Sequence, residues 1–225
     1  MPRGIGLTMT IDPTLELAGL IEGYRRFRET GWAERRERWA ALRHGQEPRV
    51  MVIACADSRT DPAMVFDADP GEIFVVRNIA AMVPPFETTP GHHGVSAALE
   101  FAVEVLQVRE IVIMGHGMCG GCKAALTREL HGSEPGHGGF IANWISMLDE
   151  VREPIAAELG TEGRDAERAM EHAAVKLSLA NLRTFPNVRR RESEGKLRVR
   201  GAFFAIAEGV LYFLDEESGE FAPVA

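Results

Sequence analysis

Cysteine is scarce in this 225-residue chain: there are three, Cys55, Cys119 and Cys122. An odd and small number excludes a disulfide-stapled secreted scaffold and points to a reduced, cytoplasmic setting. Basic charge is also in short supply. Lys and Arg total 25 against 33 Asp and Glu, a net charge of −8, which argues against a protein that binds nucleic acid or anionic membrane by bulk charge. No apolar run approaches the roughly 18 residues a membrane helix needs. The segment Met1-Pro2-Arg3-Gly4-Ile5-Gly6-Leu7 has no apolar stretch ahead of a cleavage site, so no signal peptide is expected. Internal repeats and long linkers are missing too. With 45% hydrophobic and 26% charged residues, the composition is that of an ordinary globular chain.

What is present reads as alternating strands and helices. Asp12-Pro13 has the form of a helix start, with Leu17, Leu20, Ile21, Tyr24 and Phe27 following at helical spacing. A second, highly charged helix is expected from about Trp32 to Leu42. Three apolar runs, Val50 to Cys55, Ile73 to Val76 and Ile111 to Met114, read as strands buried on both faces. A helix from about Gly94 to Leu106 lies between the last two. Helices over about Phe140 to Glu150 and Asp165 to Leu182 follow, then strands over Lys196 to Ala205 and Gly209 to Leu214 joined by a turn at Glu208-Gly209. The pattern predicts an α/β fold, a mostly parallel central sheet of about five strands flanked by helices. A single domain over residues 1–225 is expected, with an N-terminal helical arm at about 10–45.

Two strand ends carry the chemistry. Cys55 closes the first strand, and His116 falls just past the third. In a parallel sheet both lie at the carboxyl edge, where open α/β sheets bind ligands. Cys119 follows in Gly115-His116-Gly117-Met118-Cys119-Gly120-Gly121-Cys122, whose glycines let the backbone fold tightly. Two thiolates and one imidazole suit tetrahedral Zn²⁺ with a fourth position left open. The Asp57 carboxylate can reach that position, and Arg59 can hold Asp57 in a bidentate pair. Other readings stand beside this one. Cys55 can be a buried apolar thiol, and Cys119 with Cys122 spells a C-x-x-C redox pair or zinc knuckle. Asp57 and Arg59 can be a structural pair, Arg77 an exposed or interface charge, and His131 and His137 solvated loop residues. Cys122 and the Met114 and Met118 side chains fit packing best.

Cys55-Ala56-Asp57-Ser58-Arg59 together with Gly115-His116-Gly117-Met118-Cys119-Gly120-Gly121 resembles the paired signature of the β-class carbonic anhydrases, in their plant-like branch. The similarity extends through Pro70 to Ala80, Gly94 to Val103, Asn181 to Pro186 and Gly195 to Leu197, and covers about Leu15 to Leu214. The resemblance implies that Cys55, His116 and Cys119 hold one Zn²⁺ per chain. It implies that Asp57 and Arg59 control the fourth zinc position, and that zinc-bound hydroxide attacks CO₂ reversibly to give bicarbonate and a proton. Activity should then rise with pH. Gln46 matches a glutamine that hydrogen-bonds substrate across a subunit interface, and Phe74 matches an apolar substrate-pocket residue. Phe101 stands where a tyrosine is common. Val52 replaces the tryptophan of a bicarbonate regulatory site found in another branch, so that regulation is not expected, although Arg77 matches a further residue of that site. His92 and His93 are candidates for carrying the proton to solvent.

A homodimer or higher homo-oligomer such as a tetramer is implied, with the N-terminal helices packing on a partner subunit. The partners are CO₂ and bicarbonate, with no nucleic acid and no membrane. Two rival readings keep the same ligands: a zinc hydrolase for carbon disulfide or carbonyl sulfide, and a non-catalytic zinc protein with Asp57 locked on the metal.

Overall fold

The computed structural model describes residues 16–224. The expected helix start at Asp12-Pro13 lies outside them. The chain divides into two compact units, residues 1–45 and 46–225. In the first, α1 (Leu17–Glu29) is followed by α2 (Gly31–Glu34) and α3 (Arg36–Leu42). The single helix expected from Trp32 to Leu42 is therefore broken, at Arg35, whose φ of −101° and ψ of 23° leave the helical region. Phe27 meets Trp39 edge-on at 6.1 Å, and the Arg36 guanidinium lies 5.8 Å over Trp32. No residue of these three helices is fully buried.

The second unit is built on strands β1 (Val50–Cys55), β2 (Ile73–Asn78), β3 (Glu110–His116), β4 (Arg198–Ala205), β5 (Val210–Leu214) and β6 (Phe221–Pro223). They form one sheet in the order β2-β1-β3-β4-β5-β6. The first four strands are parallel, and β5 and β6 are added antiparallel. The expected sheet of about five strands thus gains a sixth. Only three residues long, β6 shows too little alternation to be read from sequence.

Because β1 lies between β2 and β3, the chain leaves β1 in one direction and then crosses over it. That reversal opens a crevice at the carboxyl ends of β1 and β3. Successive side chains of β1 alternate between faces, as a strand requires. Met51 and Ile53 join Leu99, Val103, Ile111 and Ile113 on one side, whereas Val52 and Ala54 join Val112, Met114 and Ala202 on the other.

Helices flank the sheet. α4 (Pro62–Val65) opens with Asp61 as N-cap, its carboxylate accepting from Ala63 N–H at 2.9 Å, and Pro62 at the first helical position. Its Val65 packs on the Val52 and Ala54 side. α5 (Gly94–Glu100) ends in a π-type turn at Phe101–Val105, so the helix expected from Gly94 to Leu106 widens in its last turn. After α6 (Gly120–Thr127), the segment expected as one helix from Phe140 to Glu150 is α7 (Gly139–Ile145), a 3₁₀ turn and α8 (Asp149–Leu159). The long α9 (Arg164–Leu182) buries Met170, Ala174, Val175, Ser178, Leu179 and Leu182, the stripe of an amphipathic helix. α10 (Pro186–Ser193) starts on its proline. Among the described residues, no helix is long and apolar enough to cross a membrane.

Candidate metal centre

Cys55 is the last residue of β1 and His116 the last of the neighbouring β3. Cys119 is the N-cap residue of α6, three positions on. The turn between them brings all three ligand atoms within 4.8 Å of one another, and all three residues are buried. The redox reading of Cys119 with Cys122 loses ground here. The ligand atoms of Cys119, Cys55 and His116 converge as one group, while Cys122, in contact with Cys119 and packed in the same cluster as Ala124, Leu126 and Met170, stands outside that group of three. All three cysteines are free thiols.

The donor set fits a cation. His116 Nδ1–H donates to the Gly117 carbonyl at 2.9 Å, which fixes the tautomer and leaves the Nε2 lone pair bare. That Nε2 is buried and has no hydrogen-bond partner. Without a cation the thiols are held neutral. Cys55 is pushed up to about 12, first by its contact with Cys119 and then by burial. Cys119 is pushed up to about 12, first by its contact with Cys122. Thiolates at such a site require a strong local positive charge, which Zn²⁺ provides by coordination.

Glycine acts differently from the expectation of a tightly folded turn. The left-handed residue of the ligand loop is Met118, at φ 58°, and not a glycine. Gly115 matters for packing instead: a Cβ there would come within 2.5 Å of Val175 Cγ2, so its absence lets α9 press against β3.

Asp57 sits at the mouth of the group, half-buried. Arg59 grips it through three bonds: backbone N–H to Oδ1 at 2.9 Å, Nε to Oδ1 at 2.9 Å and Nη2 to Oδ2 at 2.6 Å. The side-chain pair with Arg59 holds the carboxyl well below the usual carboxylate range. Asp57 Oδ2 lies 4.0 Å from His116 Nε2, close enough to meet a ligand on the open side of the group. Arg59 Nη2 also donates to the Met118 carbonyl at 3.0 Å, tying the two signature loops together.

Two residues hold these loops from behind. Arg77, read as an exposed or interface charge, is half-buried and donates to Cys55 O at 2.9 Å, Asp57 O at 2.5 Å and Asp61 Oδ2 at 2.8 Å. Its register with Ala54, next to Cys55, puts it at the metal end of β2. Glu171 on α9 accepts from the Cys119 N–H at 3.2 Å and is buried, and burial pushes its carboxyl up. No motif in the sequence marks Glu171, which lies 52 positions from Cys119.

Gln46 and Phe74 are not brought to the group within one chain. Gln46 precedes β1 and is exposed at the opposite, amino edge of the sheet. Phe74 pairs with Met51, four residues before Cys55, hence roughly 13 Å along the strand, and packs on Phe101 at 5.9 Å. His93 is occupied elsewhere, its Nε2 against Thr89 O at 2.8 Å and its Nδ1 at 3.7 Å from Glu87. His131 and His137 are exposed, as expected for loop residues.

A family profile described as carbonic anhydrase matches residues 50–211. Beta carbonic anhydrase 3 of Arabidopsis thaliana is 36% identical over 188 residues, 83% of this chain and 72% of that protein. A carbonic anhydrase of Synechocystis sp. is 31% identical over 198 residues, 87% of this chain and 70% of its own length. Among solved structures, the β-carbonic anhydrase CcaA superposes with a TM-score of 0.84 at 30% identity, covering 93% of this chain and 92% of that one. A tetrameric β-carbonic anhydrase of Sordaria macrospora superposes with a TM-score of 0.75 at 28% identity, covering 92% and 98%.

Proposed function

The chain belongs to the β-carbonic anhydrase family, and from that premise we propose that Cys55, His116 and Cys119 hold its single Zn²⁺ while Asp57 and Arg59 govern what reaches it. The reaction is the zinc-dependent, reversible hydration of CO₂ to bicarbonate and a proton. The observation that carries the assignment is the convergence of two buried thiols with a bare, buried His116 Nε2.

Bound there, zinc supplies Lewis acidity that brings the pKa of a coordinated water toward about 7. The chain's own residues supply the rest. Two thiolates neutralise the +2 charge, so an unpaired Asp57 would make the centre anionic. Arg59 offsets that charge and turns both Asp57 oxygens toward itself, which supports an open site over one that Asp57 closes. Asp57 is then placed to accept a hydrogen bond from water and to orient its lone pair toward CO₂. Arg77 and Glu171 fix the backbone on which Cys55, Asp57 and Cys119 stand.

We assign Gln46 and Phe74 to the site of a partner subunit, because within one chain they lie at the far end or middle of the sheet. A homodimer is the smallest unit in which that contact exists, and a relative's tetrameric structure is consistent with further assembly. In this reading, residues 1–225 act as one catalytic domain whose N-terminal arm docks on the partner through the exposed apolar side chains Leu17, Leu20, Tyr24 and Phe27. Three free cysteines suit a reducing compartment such as the cytoplasm.

Metal analysis combined with stopped-flow CO₂ hydration tests the proposal. One zinc per chain with hydration between pH 6 and 9 is the expected result. One zinc per chain without hydration at any of those pH values would assign the protein to a non-catalytic zinc role. Hydrolysis of carbonyl sulfide or carbon disulfide in place of CO₂ hydration would assign it to the related hydrolases.

A further inference from the structure

The amino edge of the sheet, opposite the metal centre of the same chain, holds a cavity of about 880 Å³. Its wall carries five cationic side chains, Arg49, Arg109, Arg191, Lys196 and Arg198, one acid, Glu47, and at its rim Gln46. That is an unusual concentration in a chain with net charge −8. Strand register creates it. Arg109 N–H donates to Arg49 O at 2.8 Å and Arg198 N–H donates to Arg109 O at 2.9 Å, so three arginines far apart in sequence enter the sheet side by side.

Only part of this charge is neutralised. Arg198 pairs with Glu110, and Lys196 with Glu194 at 2.9 Å. Among the described residues, Arg49 and Arg109 make no ion pair. The buried Arg191, 8% exposed, spends its guanidinium on neutral carbonyls: Nη1 to Val103 O at 2.8 Å, and Nη2 to Val108 O at 3.3 Å and Gln107 O at 3.4 Å. Its Nε has no hydrogen-bond partner at all. Three guanidiniums therefore keep their charge around one hollow. Guanidinium forks match the oxygens of a phosphate bidentately, and the volume exceeds what inorganic phosphate alone would fill. The amide of Gln107 at the wall adds a neutral hydrogen-bonding group for an organic portion.

We propose that this amino-edge cavity is a binding site for a small phosphate monoester, held through Arg49 and Arg109 with Arg191 as the fixed charge of its inner wall. The site is separate from the zinc centre of its own chain. Through Gln46 it borders the region that the proposed function assigns to a partner's site, but the arginines that would hold the phosphate do not rest on that assignment.

Isothermal titration calorimetry of the zinc-loaded full chain tests it, with glycerol 3-phosphate and inorganic phosphate as probes and glycerol as the uncharged control. The expected result is saturable binding of glycerol 3-phosphate, one per chain, at a Kd of about 1 mM or below. Inorganic phosphate should bind more weakly, and glycerol not at all. Arg109→Gln and, separately, Arg49→Gln should each weaken binding by about tenfold or more, the loss expected for a charge-assisted hydrogen bond. CO₂ hydration and thermal unfolding should stay as in the parent protein. Absence of saturable binding overturns the proposal. So does binding that both variants leave unchanged, which would place the phosphate at the zinc centre or on general surface charge.

Discussion

The two edges of the sheet are built on opposite principles. At the carboxyl edge, β1 and β3 end in a cysteine and a histidine that are buried and close together, the histidine with a buried Nε2 that has no hydrogen-bond partner. At the amino edge, β1, β3 and β4 begin beside arginines that are exposed and mostly surplus in charge. Burial explains the difference. A thiol or imidazole can be enclosed while neutral and then bind a metal, whereas a guanidinium stays charged and must keep contact with water, carbonyls or anions. One edge therefore suits a resident metal, and the other an exchangeable anion.

The largest expected effect breaks the carboxyl edge outright. Cys55→Ala leaves two ligands where a catalytic zinc site uses three, so zinc per chain and CO₂ hydration should both fall to near zero. Full zinc occupancy in that variant would refute the ligand assignment.

Behind the same edge, His172 meets Phe203 edge-on at 4.7 Å and lies tilted against Phe221 at 4.2 Å. Burial, then Arg168 and Lys176, lower its pKa from the ordinary 6.5 to about 4. Above 6.5 the ring is neutral whether the chain is folded or not. Below it, the unfolded chain binds a proton that the folded one refuses, so stability falls as pH drops from 6.5 toward about 4. The loss should total roughly 3 kcal/mol. Urea unfolding at stepped pH measures it, and His172→Phe should flatten that part of the profile.

A smaller effect separates the ligands from their supports. Arg77→Ala removes three bonds under the Cys55–Asp61 loop, and zinc affinity or kcat/KM should drop by about 10- to 100-fold. Chelator competition and stopped-flow assays read the two quantities. No change in either would return Arg77 to an ordinary structural charge.

The smallest effect concerns the third cysteine. Cys122→Ala should keep one zinc and near-parent hydration while costing about 1 kcal/mol of stability, since the thiol is 3% exposed in an apolar cluster. Loss of metal there would make Cys122 a ligand and reopen the assignment.

Part of this architecture is legible in the amino-acid sequence. The runs Val50 to Cys55 and Ile111 to Met114 announce buried parallel strands, and the candidate ligands Cys55, His116 and Cys119 stand at or just past their ends. Helix interruptions at Arg35 and after Glu100 are not legible, because side chains on both sides of each break continue a helical pattern. Arg77 reads as a lone charge because two of its acceptors are backbone carbonyls, which leave no mark in a sequence.

By itself, then, the sequence determined five of the strands, the residue types at the metal centre and the family to which they belong. Those depend on local apolar patterning and on short motifs whose spacing is chemically restrictive. Tertiary structure decided what the order β2-β1-β3-β4 brings together. It set Glu171 against Cys119, Gly115 under Val175, Asp57 against Arg59, and Arg49 beside Arg109. It also placed Gln46 and Phe74 away from their own chain's centre. Such pairings arise from strand order and helix packing across many tens of residues, and no local periodicity encodes them.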